Sequence, residues 1–269
     1  MNSSRFSDLK DIFLDTGVFD YVNLDKSSQA YEKIASAIDK PLKLILLFGK
    51  PGVGKTFLLQ KVYNDFYKKK SVVLFLRPFF NERDFLVSLY EEIFEEKSPD
   101  FSNYNEFLSI SLKKLSNDQS ITVFLDEAQL YPKDLVERIR LLADSRKFKF
   151  LFTVHKTEEE DILAKDYFKT RIWETIELKN SSLNEIKIYI EKKLLFHNKF
   201  ESLSLFSNRS FHLIMKLTNG NLRTINKLMY KTFEILEYYD KYKPSTIGAK
   251  GLKPKFIEMA AIDLGIIND

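Results

Sequence analysis

Two rhythms of apolar and polar positions divide this chain. Up to about residue 180, short runs of nearly unbroken apolar residues alternate with stretches whose apolar positions return every three or four residues. LKLILLF (42–48), SVVLFL (71–76), ITVFL (121–125) and FKFLFTV (148–154) are apolar on both faces, the pattern of strands covered from both sides. WETIEL (173–178) reads as a fifth strand. Helical periodicity covers 25–38, 56–67, 81–96, 103–115 and 133–144, the last with Pro132 at a first turn. Such alternation predicts a parallel sheet wrapped by helices, because parallel neighbours need crossover connections. After Asn180 strand-like runs stop, and helices are predicted over 183–196, 210–217, 222–239 and 254–264, with 243–254 linker-like. The expected fold is α/β: residues 1–179 form a parallel five-stranded sheet sandwiched by helices with an N-terminal helical lead-in, and residues 180–269 form an all-helical domain.

Composition narrows the chemistry. The 269 residues carry 42 Lys and Arg against 38 Asp and Glu, a formal charge of +4, with no Cys and three His. That excludes disulfides, thiolate metal sites and a cysteine nucleophile, and makes oxygen-bound magnesium the metal to expect. The first twenty residues carry acids throughout and no unbroken apolar stretch, so no signal peptide or membrane span is expected there, and a cytoplasmic protein is. The tight basic run Lys68-Lys69-Lys70 suits a helix C-terminus better than a nucleic-acid contact.

Directly after the first strand stands Gly49-Lys50-Pro51-Gly52-Val53-Gly54-Lys55-Thr56, a complete G-x-x-x-x-G-K-[ST] phosphate loop in the strand–loop–helix setting it requires. The glycines let amides turn toward a phosphate, the following helix, which continues with Phe57, aims its positive end there, and Lys55 adds charge at the β- and γ-phosphates. Thr56 offers a hydroxyl to magnesium. The strand ITVFL ends in Asp126-Glu127, placing two carboxylates at the ligand edge of the sheet. Asp126 suits the metal, and Glu127 suits orienting or deprotonating an attacking water. Gln129 follows, as a phosphate contact or a cap. In P-loop proteins with a catalytic glutamate, the strand FKFLFTV inserts between the two motif strands, so His155 at its polar end becomes a γ-phosphate sensor; an ordinary surface histidine is the alternative.

With those motifs in order, the sequence resembles the AAA+ ATPases, in particular the general-secretion-pathway A type and its transposition relatives. LDEAQLYPKDLVERIRLL resembles that group's Walker B strand and next helix, GNLRTINKL (220–228) its second sensor, and PKFIEMAAIDLG its closing lid helix. The resemblance runs from about Asn23 to Leu264 and implies an AAA+ core with a helical lid, binding ATP and Mg2+. It implies that Arg223, opening a long lid helix, reaches the γ-phosphate, and that Arg171, before the fifth strand, reaches a neighbouring subunit's nucleotide. A solvated arginine is the alternative at each, and Lys169 rivals Arg171. A finger in trans implies a homo-oligomer.

The group's N-terminal aromatic-proline motif is absent, and Phe19, Tyr21 and Val22 either flank adenine or simply pack. The chain ends five residues beyond the lid helix, so no membrane anchor of its own is expected. The implied function is a magnesium-dependent, oligomerising ATPase serving a type II secretion, type IV pilus or DNA-uptake machine, peripheral at the inner membrane through its partners. The alternative is an ATP-dependent switch on DNA of the transposition target-selector kind, with Lys113, Lys114 and the Lys68 run as support. A small-molecule kinase fits the phosphate loop but not Glu127 with the Arg223 lid, and Glu127 argues against an ATP-binding scaffold without turnover.

Overall fold

The computed structural model describes residues 4–14, 21–67, 72–116, 118–155, 171–247 and 252–267. In chain order their elements are α1 (Ser7–Asp11), α2 (Asp25–Asp39), β1 (Leu44–Gly49), α3 (Lys55–Phe66), β2 (Val72–Phe75), α4 (Glu82–Phe94), α5 (Tyr104–Lys114) and β3 (Ile121–Leu125). Then follow α6 (Lys133–Asp144), β4 (Phe148–His155), β5 (Ile172–Glu177), α7 (Leu183–Phe196), α8 (Asn208–Thr218), α9 (Leu222–Tyr242), α10 (Pro244–Ile247) and α11 (Pro254–Asp263). Short 3₁₀ segments occur at Ala128–Leu130 and Phe200–Leu205. Among the described residues no helix is long and apolar enough to cross a membrane.

The strands form one parallel sheet in the order β2-β3-β4-β1-β5. β4 therefore lies between the two motif strands, as the sequence predicts for a glutamate-bearing P-loop protein. Phe148 to Val154 are all buried, which explains why this central strand reads as apolar on both faces. Phe107, Phe148, Phe150 and Phe152 fill the core beside Leu135 and Ile139 of α6. Lys149 is the exception in β4: its ammonium, with the side chain 8% exposed, reaches the carbonyls of Ile38 and Lys40 and caps the end of α2. At the sheet edge, β5 carries a bulge: Ile172 lies opposite Leu44 and Glu174 opposite Ile45, which leaves Trp173 unpaired and 65% exposed.

The chain divides into two compact units, one of residues 27–51 and 55–178, the other of residues 1–26, 52–54 and 179–269. The second starts after β5, near where the sequence loses its strand-like runs. Residues 1–26, which the sequence reading attaches to the ATPase core as a lead-in, belong instead to the helical unit. The reason is packing: Phe6 and Phe13 stack on Phe233 of α9, with centroids 6.4 and 5.8 Å away, and Leu9, Ile12, Val22 and Leu24 complete the same core. Within this unit the amide of Lys26 donates to the buried Glu185, 3.0 Å away, whose other oxygen caps α7 through Ser182. Burial pushes the Glu185 carboxyl up, but these donors outweigh it and hold the group below the ordinary range.

Candidate active site

Because all five strands run the same way, their C-terminal ends share one edge, and the register sets what meets there. Gly49 at the end of β1 lies opposite His155 at the end of β4, and Leu125 lies opposite Phe152. Gly49 at the start of the phosphate loop, Asp126-Glu127 and His155 are thereby gathered at one edge by backbone pairing. In the sheet unit, Lys55 is 6% exposed and its ammonium donates to the carbonyls of Gly49, at 2.9 Å, and Lys50, at 3.3 Å. Gly52 and Gly54 have φ of +81° and +100°, a left-handed backbone that strains any residue with a side chain. Residues 52–54 group with the helical unit, where the Arg223 amide donates to the Gly52 carbonyl at 3.2 Å.

Asp126 is only 2% exposed, and three donors hold it. Thr56 Oγ1 donates to Oδ2 at 2.6 Å, the Glu127 amide donates to Oδ1 at 3.0 Å, and the Thr153 hydroxyl makes a short bond to the same Oδ1. Thr153 also accepts from the Glu127 amide at 3.1 Å. These bonds fix Glu127 in a left-handed conformation, φ +53°, which is costly for a non-glycine residue and persists only when its surroundings over-determine it. Beyond it, the buried Tyr131 hydroxyl has no hydrogen-bond partner among the described residues, and burial, then the Asp126 charge, pushes its phenol strongly up.

The Glu127 carboxylate is held on both sides. His155 Nε2 stands 3.0 Å from Oε1, and Gln129 Nε2 makes a short hydrogen bond to Oε2. The same Gln129 nitrogen lies 3.4 Å from His155 Nδ1. Base candidate, sensor candidate and amide thus form one connected triangle, half-buried at the ligand edge. The structure brings Thr56 to Asp126 and His155 to Glu127. It adds Thr153, whose only sequence signal is a hydroxyl in an otherwise apolar stretch of β4, and gives Gln129 two side-chain partners.

Other residues singled out in the sequence are not part of this hydrogen-bonded network. Arg223 is exposed in the first turn of α9, which Asn221 caps by accepting from the Thr224 amide at 3.1 Å. Gly220 before it has φ +74°, and a Cβ there would meet the Ser181 carbonyl at 2.0 Å, so only glycine fits. Arg171 is exposed at the N-terminal end of β5, the opposite edge of the sheet from Glu127. Lys114 is engaged with Glu96 and lies over the Tyr90 and Phe94 rings. Val22 packs in the helical core. Phe19, the Lys68–Lys70 run and Lys169 lie outside the described residues.

Thr56 and Asp126 present a hydroxyl and a carboxylate, the hard oxygens that magnesium takes. Among the described residues no group of three or more His, Asp and Glu forms a metal cage, so this pair suits an ion that draws its remaining ligands from phosphate and water.

No curated protein matches the chain by sequence. Its fold is similar to that of Drosophila ORC bound to DNA (TM-score 0.64, 12% identity, 98% of this chain and 66% of that one). It is also similar to Cdc6p from Pyrobaculum aerophilum (TM-score 0.63, 14% identity, 93% and 70%) and to the Thermotoga maritima RuvB Holliday junction branch migration motor (TM-score 0.52, 14% identity, 94% and 73%). The chain spans about two thirds of the length of the ORC structure. The family model described as an AAA domain matches residues 23–163, more than half of the chain and the part that holds the phosphate loop, Asp126, Glu127 and His155. The chain belongs to the AAA domain family and is an ATPase of the AAA+ fold.

Proposed function

We propose that this ATPase works as a magnesium-dependent homo-oligomer whose nucleotide state switches its grip on DNA. The observation that carries the chemistry is the bonded chain Thr56–Asp126–Thr153 with Glu127 and His155 beside it on one sheet edge. Thr56 and Asp126 would hold magnesium, which supplies charge neutralisation on the β- and γ-phosphates. The amides of the loop and Lys55 bind the phosphates, Lys55 exchanging its two carbonyl partners for phosphate oxygens. Glu127 takes the proton of the attacking water as its oxygen bonds to the γ-phosphorus and the bond to ADP breaks. His155, with Nε2 beside the base, is placed to donate to a γ-phosphate oxygen. Arg223 would read the nucleotide in cis, and Arg171 of a neighbouring copy would stabilise charge on the transferred group.

The DNA reading is supported by the shared fold with ORC bound to DNA and with the RuvB motor. A second setting, a secretion, pilus or DNA-uptake machine at the inner membrane, rests on the resemblance of the LDEAQLYPKDLVERIRLL and GNLRTINKL stretches alone. The test is ATP hydrolysis per subunit against protein concentration at low salt, with and without duplex DNA, beside Arg171→Ala. The expected result is a rate that rises with concentration and with DNA and falls at least about tenfold in Arg171→Ala. A rate independent of concentration overturns the shared site. DNA affinity that is absent at low salt, where phosphate contacts are strongest, overturns the DNA reading, and capture of inner-membrane machine components would then favour the second.

A further inference from the structure

Gln129 is a residue whose hydrogen bonding breaks the usual rule. Its side-chain Oε1 is buried and has no partner among the described residues, while its NH2 serves two groups at once, Glu127 Oε2 and His155 Nδ1. A buried acceptor left unpaired is costly, so this amide is held against a penalty for what its other end does. The orientation follows from chemistry: the Glu127 carboxylate can only accept, so the amide must turn its NH2 toward it. An NH2 can only donate, so His155 Nδ1, sharing that nitrogen, must carry a lone pair. The imidazole proton is then on Nε2, 3.0 Å from Glu127 Oε1.

We infer that Gln129 is a positioning residue for hydrolysis: its one NH2 group fixes both the Glu127 carboxylate and the tautomer of His155, so that the sensor presents an N–H at the edge where the reacting phosphate sits. Without that donor, His155 could place its proton on Nδ1 and turn a lone pair toward Glu127, a repulsive contact that would displace the base. This rests on the reading of Glu127 as the base, but its geometric half concerns only where a proton sits and can be measured without nucleotide. The third histidine supplies an internal standard. His212 Nδ1 lies 2.8 Å from the Asn208 carbonyl, which can only accept, so His212 is protonated on Nδ1, the opposite tautomer.

The experiment is side-chain ¹⁵N NMR of the histidines in the full chain at about pH 8, above the ordinary imidazole range, with His155→Asn assigning the signal. His155 should show a protonated Nε2 and an acceptor Nδ1, and His212 the reverse. In Gln129→Met, similar in length but without a donor, His155 should lose its tautomer preference, while kcat falls about tenfold and KM for ATP stays within about twofold. Gln129→Glu, which accepts where the amide donates, should move the proton to Nδ1, and it decides the matter if the Met variant does not fold. His155 signals unchanged in the folded variants overturn the inference, as does a KM rise with kcat unaltered. If the parent shows the expected tautomer and the variants shift it, yet the parent never hydrolyses ATP, then the placement of the proton stands and the proposed reaction fails.

Discussion

The two edges of the sheet both tie down carboxylates and do different things with them. At the C-terminal edge, Asp126, Glu127, Gln129, Thr153 and His155 form a network around a carboxylate that is 2% exposed. At the N-terminal edge, Lys43 meets Asp144 at 2.7 Å, and Arg140 bridges Asp144 at 3.2 Å and Glu137 at 2.7 Å, with the Lys43 and Asp144 side chains 34% and 43% exposed. Arg171 stands on this edge because the residue after it, Ile172, pairs with Leu44, next to Lys43. Both edges tie carboxylates to donors at similar distances. Water decides the difference: it screens the pairs on the open edge, whereas a partner lost from Asp126 leaves a buried polar group unsatisfied.

The largest expected effect is at the buried edge. Glu127→Gln keeps the shape but removes the base and turns an NH2 toward one of the two donors that hold the carboxylate, and should lower kcat about 10²–10⁴-fold while ATP stays bound. Turnover at the parent rate would remove Glu127 from the chemistry and with it the contrast between the edges. Next comes Thr153→Val, equal in shape but without the hydroxyl that holds Asp126 Oδ1 and the Glu127 amide. Leaving those groups short of a partner should cost about 1–3 kcal/mol. A thermal melt should register this as a loss of roughly 2–10 °C for a chain of this size. A melt that matches the parent would mean that water reaches Asp126 after all.

The smallest effects belong to the open edge. Asp144→Asn should change stability by less than about 1 kcal/mol, as exposed pairs do, and by less still in high salt. Its pH dependence has a definite sign. The bond from Lys43 holds the Asp144 carboxyl below the ordinary range; burial opposes it, and the charges of Lys43, Arg140 and Arg171 add to the lowering. The folded state therefore binds its proton later than the unfolded chain, so the stabilisation is present above the ordinary carboxylate range and is lost as pH falls through the lowered value. Asp144→Asn should flatten only that acid portion of the stability curve, as followed by urea midpoints against pH. A cost as large as that of Thr153→Val would show the two edges to be electrostatically alike.

Much of this was legible in order along the chain. The phosphate loop, Asp126 and Glu127 carry their chemistry in local spacing, and β4 announced itself by seven apolar or shielded positions ending at His155. Short elements were not legible: α1, five residues long, has too few turns for a period, and it forms because Phe6 and Leu9 have the α9 face to bury against. The same packing assigns residues 1–26 to the helical unit, against the simpler division at residue 179. Thr153 escaped for a different reason, and Gln129 was read only as a phosphate contact or a cap. A glutamine after a turn and a threonine in a strand are ordinary in sequence, and only their partners make them otherwise.

What the sequence determined by itself is the class of chemistry, because a phosphate loop and an acidic strand end are local arrangements that work wherever a strand meets a helix. It also determined the sheet, since the alternation of buried runs and amphipathic helices leaves parallel pairing as the way to satisfy the backbone. Only the tertiary structure decided which polar groups share an edge. The pairing of Gly49 with His155 and of Leu125 with Phe152 joins residues about a hundred and about thirty positions apart. No local preference encodes such a register; it is set by many apolar side chains packing at once, and the short hydrogen bonds of the site follow from it.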